Sequence, residues 1–419
     1  MKLSAFGDKF CQESGISQLM DDIDSALSGN ADMLFLGGGN PARIPAMEDI
    51  FTQRMQALTA DADKLSTTLG MYQSPKGEKT FCNAVARLLH NKLGWAVNGD
   101  NIAIANGSQA AFFTLFNMFG GKTSAGVNRS IHLPLTPEYI GYTDVGVSED
   151  FFTGSQPDIE KLDNHLFKYR VDFDGLGIDE SVAALCVSRP TNPTGNVLTD
   201  DEMVQLDQLA RQHNIPLIID SAYGLPFPGI VFEQATPLWN DNVIALLSLS
   251  KLGLPGVRSG IVVASEEIIQ AYVRASTIAN LACANLGPAI SQPWFESGEI
   301  LRYSTEIVGP YYQQRALQTV DWFREALGDL PYFIHKPEGA IFLWLWFENL
   351  PVSSEELYQR LKNRNVLVIP SQNFFPGIDP AWQHTRECIR VSYARDEQTV
   401  RKAITIIAEE LRAAYKNQI

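Results

Sequence analysis

The sequence predicts an α/β protein: a mainly parallel central sheet flanked by helices, with a smaller α+β domain beside it. Apolar runs rich in β-branched residues recur at 182–187, 216–219, 243–247 and 261–264. They lack strict alternation, as strands covered on both faces do. Between the first two, Thr199 stands as a helix cap and Asp200, Asp201 and Glu202 fill a first turn, while Met203, Leu206 and Leu209 recur at helical spacing towards His213. This makes a strand, helix, strand unit. From about residue 301 the pattern changes to a long helical stretch over 306–327, an aromatic run at 341–347 and further short elements, which reads as the second domain.

Earlier in the chain, a strand-like run at 33–36 meets Gly37-Gly38-Gly39-Asn40-Pro41. Pro41 and Pro45 interrupt the helix that a dinucleotide loop requires, leaving a glycine-lined bend beside a ligand or a turn that needs positive φ. A strand at 102–105 leads into Asn106-Gly107-Ser108-Gln109-Ala110-Ala111, which opens a helix whose N–H groups could meet a phosphate or simply be capped. After the aromatic run come a helix near 353–364, strands at 366–369 and 388–393, and a terminal helix over 396–415. The expected division is a large domain at 61–300, with 1–60 and 301–419 forming an N-terminal arm and the small domain. No repeat or low-complexity linker separates them, so they are expected to pack tightly.

At roughly 150 residues per domain, 419 residues allow two or three. A hydrophobic fraction of 45% with 19% charged residues excludes a mainly disordered chain or a disulfide scaffold. The net charge of −15 argues against nucleic acid as the main partner while leaving room for a local anion site. Five cysteines without a C-x-x-C pair, and six histidines with no pair at helical ligand spacing, signal neither disulfides nor a metal site. Charge near the N-terminus argues against a secretory leader, so a cytoplasmic protein is expected. The uncharged stretches 102–121 and 275–295 are interrupted by polar residues and read as buried segments rather than membrane spans. Gly121-Lys122-Thr123 lacks the first glycine of a P-loop, where Phe116 stands, and reads as a surface turn. The S-x-x-K match at Ser248 and Lys251 lacks its S-D-N and K-T-G companions.

The chemistry lies between residues 188 and 260. Arg189-Pro190-Thr191-Asn192-Pro193-Thr194-Gly195, Asp220-Ser221-Ala222-Tyr223 and Ser248-Leu249-Ser250-Lys251 each close or follow an apolar run, and Arg258 comes seven residues after the lysine. These groups should gather along one sheet rim. A lysine amine can form a Schiff base with an aldehyde, a carboxylate can pair with a protonated ring nitrogen, and arginine with hydroxyls can hold phosphate. Together they suit a cationic pyridine with a phosphate tail.

The N-P-T-G box, the D-x-x-Y element, the S-x-S-K box with its arginine, and Ile389-Arg390-Val391 resemble, in this order, the fold-type I pyridoxal 5'-phosphate enzymes, specifically the class I/II aminotransferases. The resemblance extends over most of the chain. It implies that Lys251 is both the Schiff-base lysine and the proton-transfer base, and that Asp220 pairs with the pyridine nitrogen. It places Asn192 and Tyr223 on the cofactor's phenolic oxygen and Arg258, Ser248, Ser250, Ser108 and Gln109 on its phosphate. Tyr139 would stack on the ring. Tyr72 would reach the phosphate of the neighbouring subunit in a homodimer with shared active sites. Arg390 would bind the substrate carboxylate, with Asn192 and the backbone of Gly39 beside it. Segments such as Pro137-Glu138-Tyr139-Ile140-Gly141-Tyr142 and Lys336-Pro337-Glu338-Gly339 are similar to members that exchange the amino group between L-valine and pyruvate in a ping-pong reaction. Other aliphatic or aromatic amino acids, another pyridoxal-phosphate reaction, and a cofactor-binding transcription regulator are the alternatives. Amino acids and 2-oxo acids are the expected partners, with no nucleic acid and no membrane.

Overall fold

The structure, a computed structural model, describes residues 2–12, 17, 21 and 32–416. Strands Val182–Ser188, Leu217–Asp220 and Val243–Ser248 are buried along their whole length, which explains why their sequences run apolar without alternation. They lie side by side and parallel, with Ser188 and Leu246 both in register with Asp220. Polar residues at their C-terminal ends therefore share one rim. Helix Asp200–Gln212 crosses between the first two, and Thr199 and Glu202 form the reciprocal capping box at its start.

The expectation of a parallel sheet needs one correction. Strand Gly260–Val263 runs antiparallel to Val243–Ser248, and Ile102–Ala105 in turn runs antiparallel to it. An antiparallel strand presents its entry at the rim where its neighbours present their exits. Arg258, just before Gly260, and Ser108, just after Ala105, thus reach the same rim as Ser248. Asn128–Leu133 continues the sheet beyond Val182–Ser188, followed by the two-residue edge strand Gly121–Lys122; Phe152–Gly154 also pairs with Asn128–Leu133. The segment at 121–123 is therefore partly strand rather than only a turn.

A second sheet runs in the order Ile369–Pro370, Cys388–Ser392, Phe342–Phe347, Tyr332–His335, Leu166–Arg170 and Asp158–Leu162. The last two strands come from within 61–300, so the sheets do not divide where the sequence suggested. Phe167, Lys168 and Tyr169 of Leu166–Arg170 are all buried, and the strand pairs with Tyr332–His335. The expected strand at 366–369 is split as well. Val366–Leu367 pairs with Leu34–Phe35, whereas Ile369–Pro370 pairs with Cys388–Ser392. The long helix of this part begins at Gly309 after a π-helical turn, Ser304–Val308; Pro310 lacks the N–H that a continuous helix would use.

Segment 275–295 is not buried throughout. It holds the end of helix Glu266–Asn280, a turn and most of helix Leu286–Ser297. Ile290, Trp294 and Phe295 are buried, but Ile278 is 90% exposed and Leu281 is exposed beside it. Among the described residues no helix is long and apolar enough to cross a membrane.

A buried ion pair fastens the 158–170 hairpin to the rest. Lys168 Nζ donates to Glu338 and to the carbonyl of Val197 (3.0 Å), and the Val197 N–H donates to Glu338 Oε2 (2.9 Å). Burial lowers the lysine pKa, and Glu338 opposes that shift. Lys168→Met leaves Glu338 buried without this cation and is expected to cost about 3–5 kcal/mol in urea unfolding, most of it recovered by Lys168→Met/Glu338→Leu. A loss below about 1 kcal/mol would contradict the pairing's role.

Candidate active site

The aligned rim opens into a cavity of about 310 Å³. Lys251, three residues beyond strand Val243–Ser248, enters it and donates from Nζ to the carbonyl of Gly39 (2.6 Å). Its ammonium lies 5.2 Å from the ring centroid of Tyr223. Burial lowers the Lys251 pKa to about 8; Arg390 and Arg258 push it the same way, and Asp220 opposes them. Asp220 is the buried last residue of its strand. Its Oδ2 accepts from Tyr142 Oη (2.7 Å) and its Oδ1 from the N–H of Ala222 (2.8 Å). Burial raises its pKa, while these donors and Lys251 restrain the rise.

One end of the cavity has the form of an anion cradle. Helix Ser108–Phe119 begins there, preceded by Gly107 at φ +88°. A Cβ at Gly107 would stand 2.2 Å from the Arg258 guanidinium, so only glycine lets the arginine lie against the loop. Ser108 Oγ is buried with no hydrogen-bond partner among the described residues. Ser248 and Ser250 line the cavity, and Ser250 N–H donates to Ser248 Oγ (3.1 Å). Gln109 also lines it, but its side-chain amide donates to the carbonyl of Gly141 (2.9 Å) and so holds the neighbouring loop.

Arg390 comes from the other sheet. Buried within strand Cys388–Ser392, it donates to Asn192 Oδ1 (2.6 Å) and to the carbonyl of Gly37 (2.7 Å). Its guanidinium carbon lies 4.1 Å from the ring centroid of Phe342 and 5.3 Å from that of Phe374. Burial pulls its pKa down to about 10. Its Nε is buried without a partner among the described residues. Tyr139 and Tyr223 line the same cavity.

Lys251, Asp220, Asn192, Tyr223, Ser248, Ser250, Arg258, Ser108, Gln109, Tyr139, Arg390 and Gly39 thus meet at one place. Tyr72 does not: it is 84% exposed and outside the cavity of its own chain. Gly39 takes part through its carbonyl, which holds Lys251, while Gly37 holds Arg390. Tyr142 and Glu138 were missed by the sequence reading. Both stand in the quoted segment around Tyr139, where an acid and a second tyrosine amid apolar residues were the available signal.

The profile of aminotransferase class I and II matches residues 46–407. The chain belongs to the class I and II aminotransferases. It is 48% identical, over 99% of each chain, to the valine–pyruvate aminotransferase of Escherichia coli K12. Its structure superposes with a TM-score of 0.97 on a putative amino-acid aminotransferase from Psychrobacter arcticum, 46% identical over the whole of both chains. With the valine–pyruvate aminotransferase from Salmonella typhimurium LT2 the TM-score is 0.89 at 47% identity, covering 96% of this chain and 100% of that one. The fold is that of the fold-type I aminotransferases, and the cofactor is pyridoxal 5'-phosphate.

The residues of this aminotransferase fit that cofactor. The unpartnered Ser108 Oγ, the helix N-terminus and Arg258 would hold its phosphate, Asp220 would face its ring nitrogen, and Lys251 would reach its aldehyde. Gly107→Ala forces Arg258 away from the loop and is expected to weaken cofactor binding at least tenfold, about 1.4 kcal/mol, in equilibrium dialysis. Unchanged affinity would remove Gly107 from the cradle. Because only the neutral amine is nucleophilic, labelling of Lys251 by an amine-specific reagent in the cofactor-free protein should rise with pH through a midpoint near 8. A midpoint close to that of a solvated lysine, about 10.4, would contradict the cavity's effect.

Proposed function

We propose that this aminotransferase exchanges the amino group between L-valine and pyruvate by a ping-pong mechanism, giving 3-methyl-2-oxobutanoate and L-alanine, as a cytoplasmic homodimer. The observation that carries the reading is the full-length 48% identity to a valine–pyruvate aminotransferase. Bound pyridoxal phosphate supplies an aldehyde for the amino group and a ring that withdraws electrons from the substrate α-carbon.

The chain's own residues do the rest. Arg390 presents a planar fork to the substrate α-carboxylate, with Asn192 and Gly37 fixing the plane of that fork. Asp220, held by Tyr142 and Ala222, offers a fixed negative charge to the ring nitrogen. Lys251 Nζ, with its basicity lowered by burial, takes the proton from the substrate α-carbon. Among the described residues, the cations lining the cavity are Lys251, Arg258 and Arg390, all with roles in this scheme, and Phe35, Ile140 and Pro255 add apolar surface. A neutral aliphatic side chain suits that lining. A methylene more or less is worth about 1–3 kcal/mol in such a pocket, so other aliphatic amino acids should react more slowly.

The dimer reading is supported by Tyr72. With Met71, Ile278 and Leu281 it is among the exposed large apolar side chains, and Asn285 ties this region together by donating to the carbonyls of Thr68 (3.2 Å) and Met71 (2.8 Å). A second copy covering these residues would bring Tyr72 towards its partner's site.

Holoenzyme mixed with L-valine should lose its cofactor absorbance band, and pyruvate should restore it with release of alanine; no response to any amino acid would overturn the reading. Arg390→Lys keeps the charge but loses the fork. It should lower kcat/KM for valine roughly 10- to 150-fold, the value of about 1.5–3 kcal/mol of charged hydrogen bonding. An unchanged kcat/KM would remove Arg390 from substrate binding.

A further inference from the structure

Beside the cavity residue Tyr139 stands a second carboxyl group that the proposed chemistry leaves unused. Glu138 is fully buried, immediately before Tyr139. Its Oε1 accepts the N–H of Ser188 (2.7 Å), and its Oε2 meets the Ser188 hydroxyl and the N–H of Tyr139 (3.1 Å). No lysine, arginine or histidine among the described residues forms an ion pair with it. Tyr142, whose Oη donates to Asp220 Oδ2 (2.7 Å), stands beside Ser188. The strand register permits this because Ser188 and Asp220 are paired neighbours. The hydroxyls of Ser188 and Tyr142 thus lie between the two carboxyl groups, one bonded to each.

Two ionised carboxylates flanking these hydroxyls, away from water, would repel each other, and Asp220 has Lys251 to favour its charge. The shared proton then belongs on Glu138. Burial pushes its carboxyl up to about 8; the Ser188 and Tyr139 donors oppose the shift and the charge of Asp220 adds to it. Tyr142 stays a neutral donor, its pKa held well above the usual tyrosine range by burial. The other titratable groups facing the chain are Cys186, whose thiol burial also keeps neutral, Tyr139, Tyr223 and Lys251.

We propose that Glu138 is a neutral carboxylic acid and a positioning residue, the first donor in a chain Glu138, Ser188, Tyr142, Asp220 that keeps Asp220 anionic and aimed into the cavity. Each hydroxyl accepts one hydrogen bond from the preceding group and donates one to the next, so the chain has one direction and carries one negative charge, at Asp220. The inference rests on Asp220 facing the cofactor ring, and does not depend on valine as substrate.

The test is the pH titration of the bound-cofactor absorbance in holoenzyme without any amino acid. Glu138→Gln preserves a neutral donor and should leave the midpoint within about 0.3 unit, whereas Glu138→Leu and Tyr142→Phe should each move it by about one unit, in the same direction. Infrared spectra of the cofactor-free wild type at neutral pH should contain the carbonyl stretch of a protonated carboxylic acid that Glu138→Gln removes. Absence of that band, a Gln variant displaced as far as the Leu variant, or a Leu variant with the wild-type midpoint would each overturn the proposal. If the Leu variant fails to fold, the infrared band and the Gln titration still decide. A failed valine assay would leave these spectra unchanged, so the two readings fail separately.

Discussion

Lys251 stands where water cannot fully solvate an ammonium group, and the surrounding chain has to supply what water does not. The carbonyl of Gly39 takes one of its protons, and Asp220 offsets its charge from within the cavity. Arg390 makes the same demand from the other sheet and receives the carbonyl of Gly37 and the amide oxygen of Asn192. The run Gly37-Gly38-Gly39 is therefore held against both cations. Side chains at Gly37 and Gly38 would collide with Leu367, Ile369 and Phe35, so close approach accounts for these two glycines; none of the three has positive φ. The incomplete solvation is also what makes the lysine amine usable as a base near neutral pH.

Topology supplies the groups to that cavity. Parallel strands deliver Ser188, Asp220 and Ser248 at their exits, and the reversed strand Gly260–Val263 delivers Arg258 at its entry. A purely parallel sheet would have sent Arg258 to the opposite rim. Arg390 arrives on the second sheet, whose position against the first is fixed in part by Lys168, Glu338 and Val197. Bringing two sheets together around one buried charge cluster gives the cavity walls that do not depend on loops alone.

Much of this was legible in the sequence because the relevant signals are local. Thr199 and Glu202 mark a helix start through their own backbone chemistry, and the buried strands announce themselves by continuous apolar runs. The site residues were legible because their order and spacing match a family pattern, and twelve of the thirteen named meet in one cavity. What escaped depends on distant partners. Nothing local in residues 158–170 says that they extend a sheet built mostly from residues beyond 330, and strand direction at 260–263 is set by its neighbours. The uncharged stretch 275–295 looked buried, although its middle is exposed in the single chain. Gln109 lines the cavity as expected, but that its side-chain amide donates to the carbonyl of Gly141 is a long-range contact with no local signal. The Tyr142 contact with Asp220 joins residues 78 positions apart, which spacing alone does not reveal.

Under the proposed function, Lys251 acts on the α-proton of an amino acid fixed by Arg390. Exchange of the L-valine α-proton with deuterium, followed by proton NMR in deuterated water, measures that step without requiring release of the oxo acid. Wild-type holoenzyme should exchange it rapidly, and Lys251→Ala, loaded with cofactor to the same occupancy, should exchange it at least a thousandfold more slowly, on the order of 4 kcal/mol. Exchange at the wild-type rate in Lys251→Ala would contradict the account.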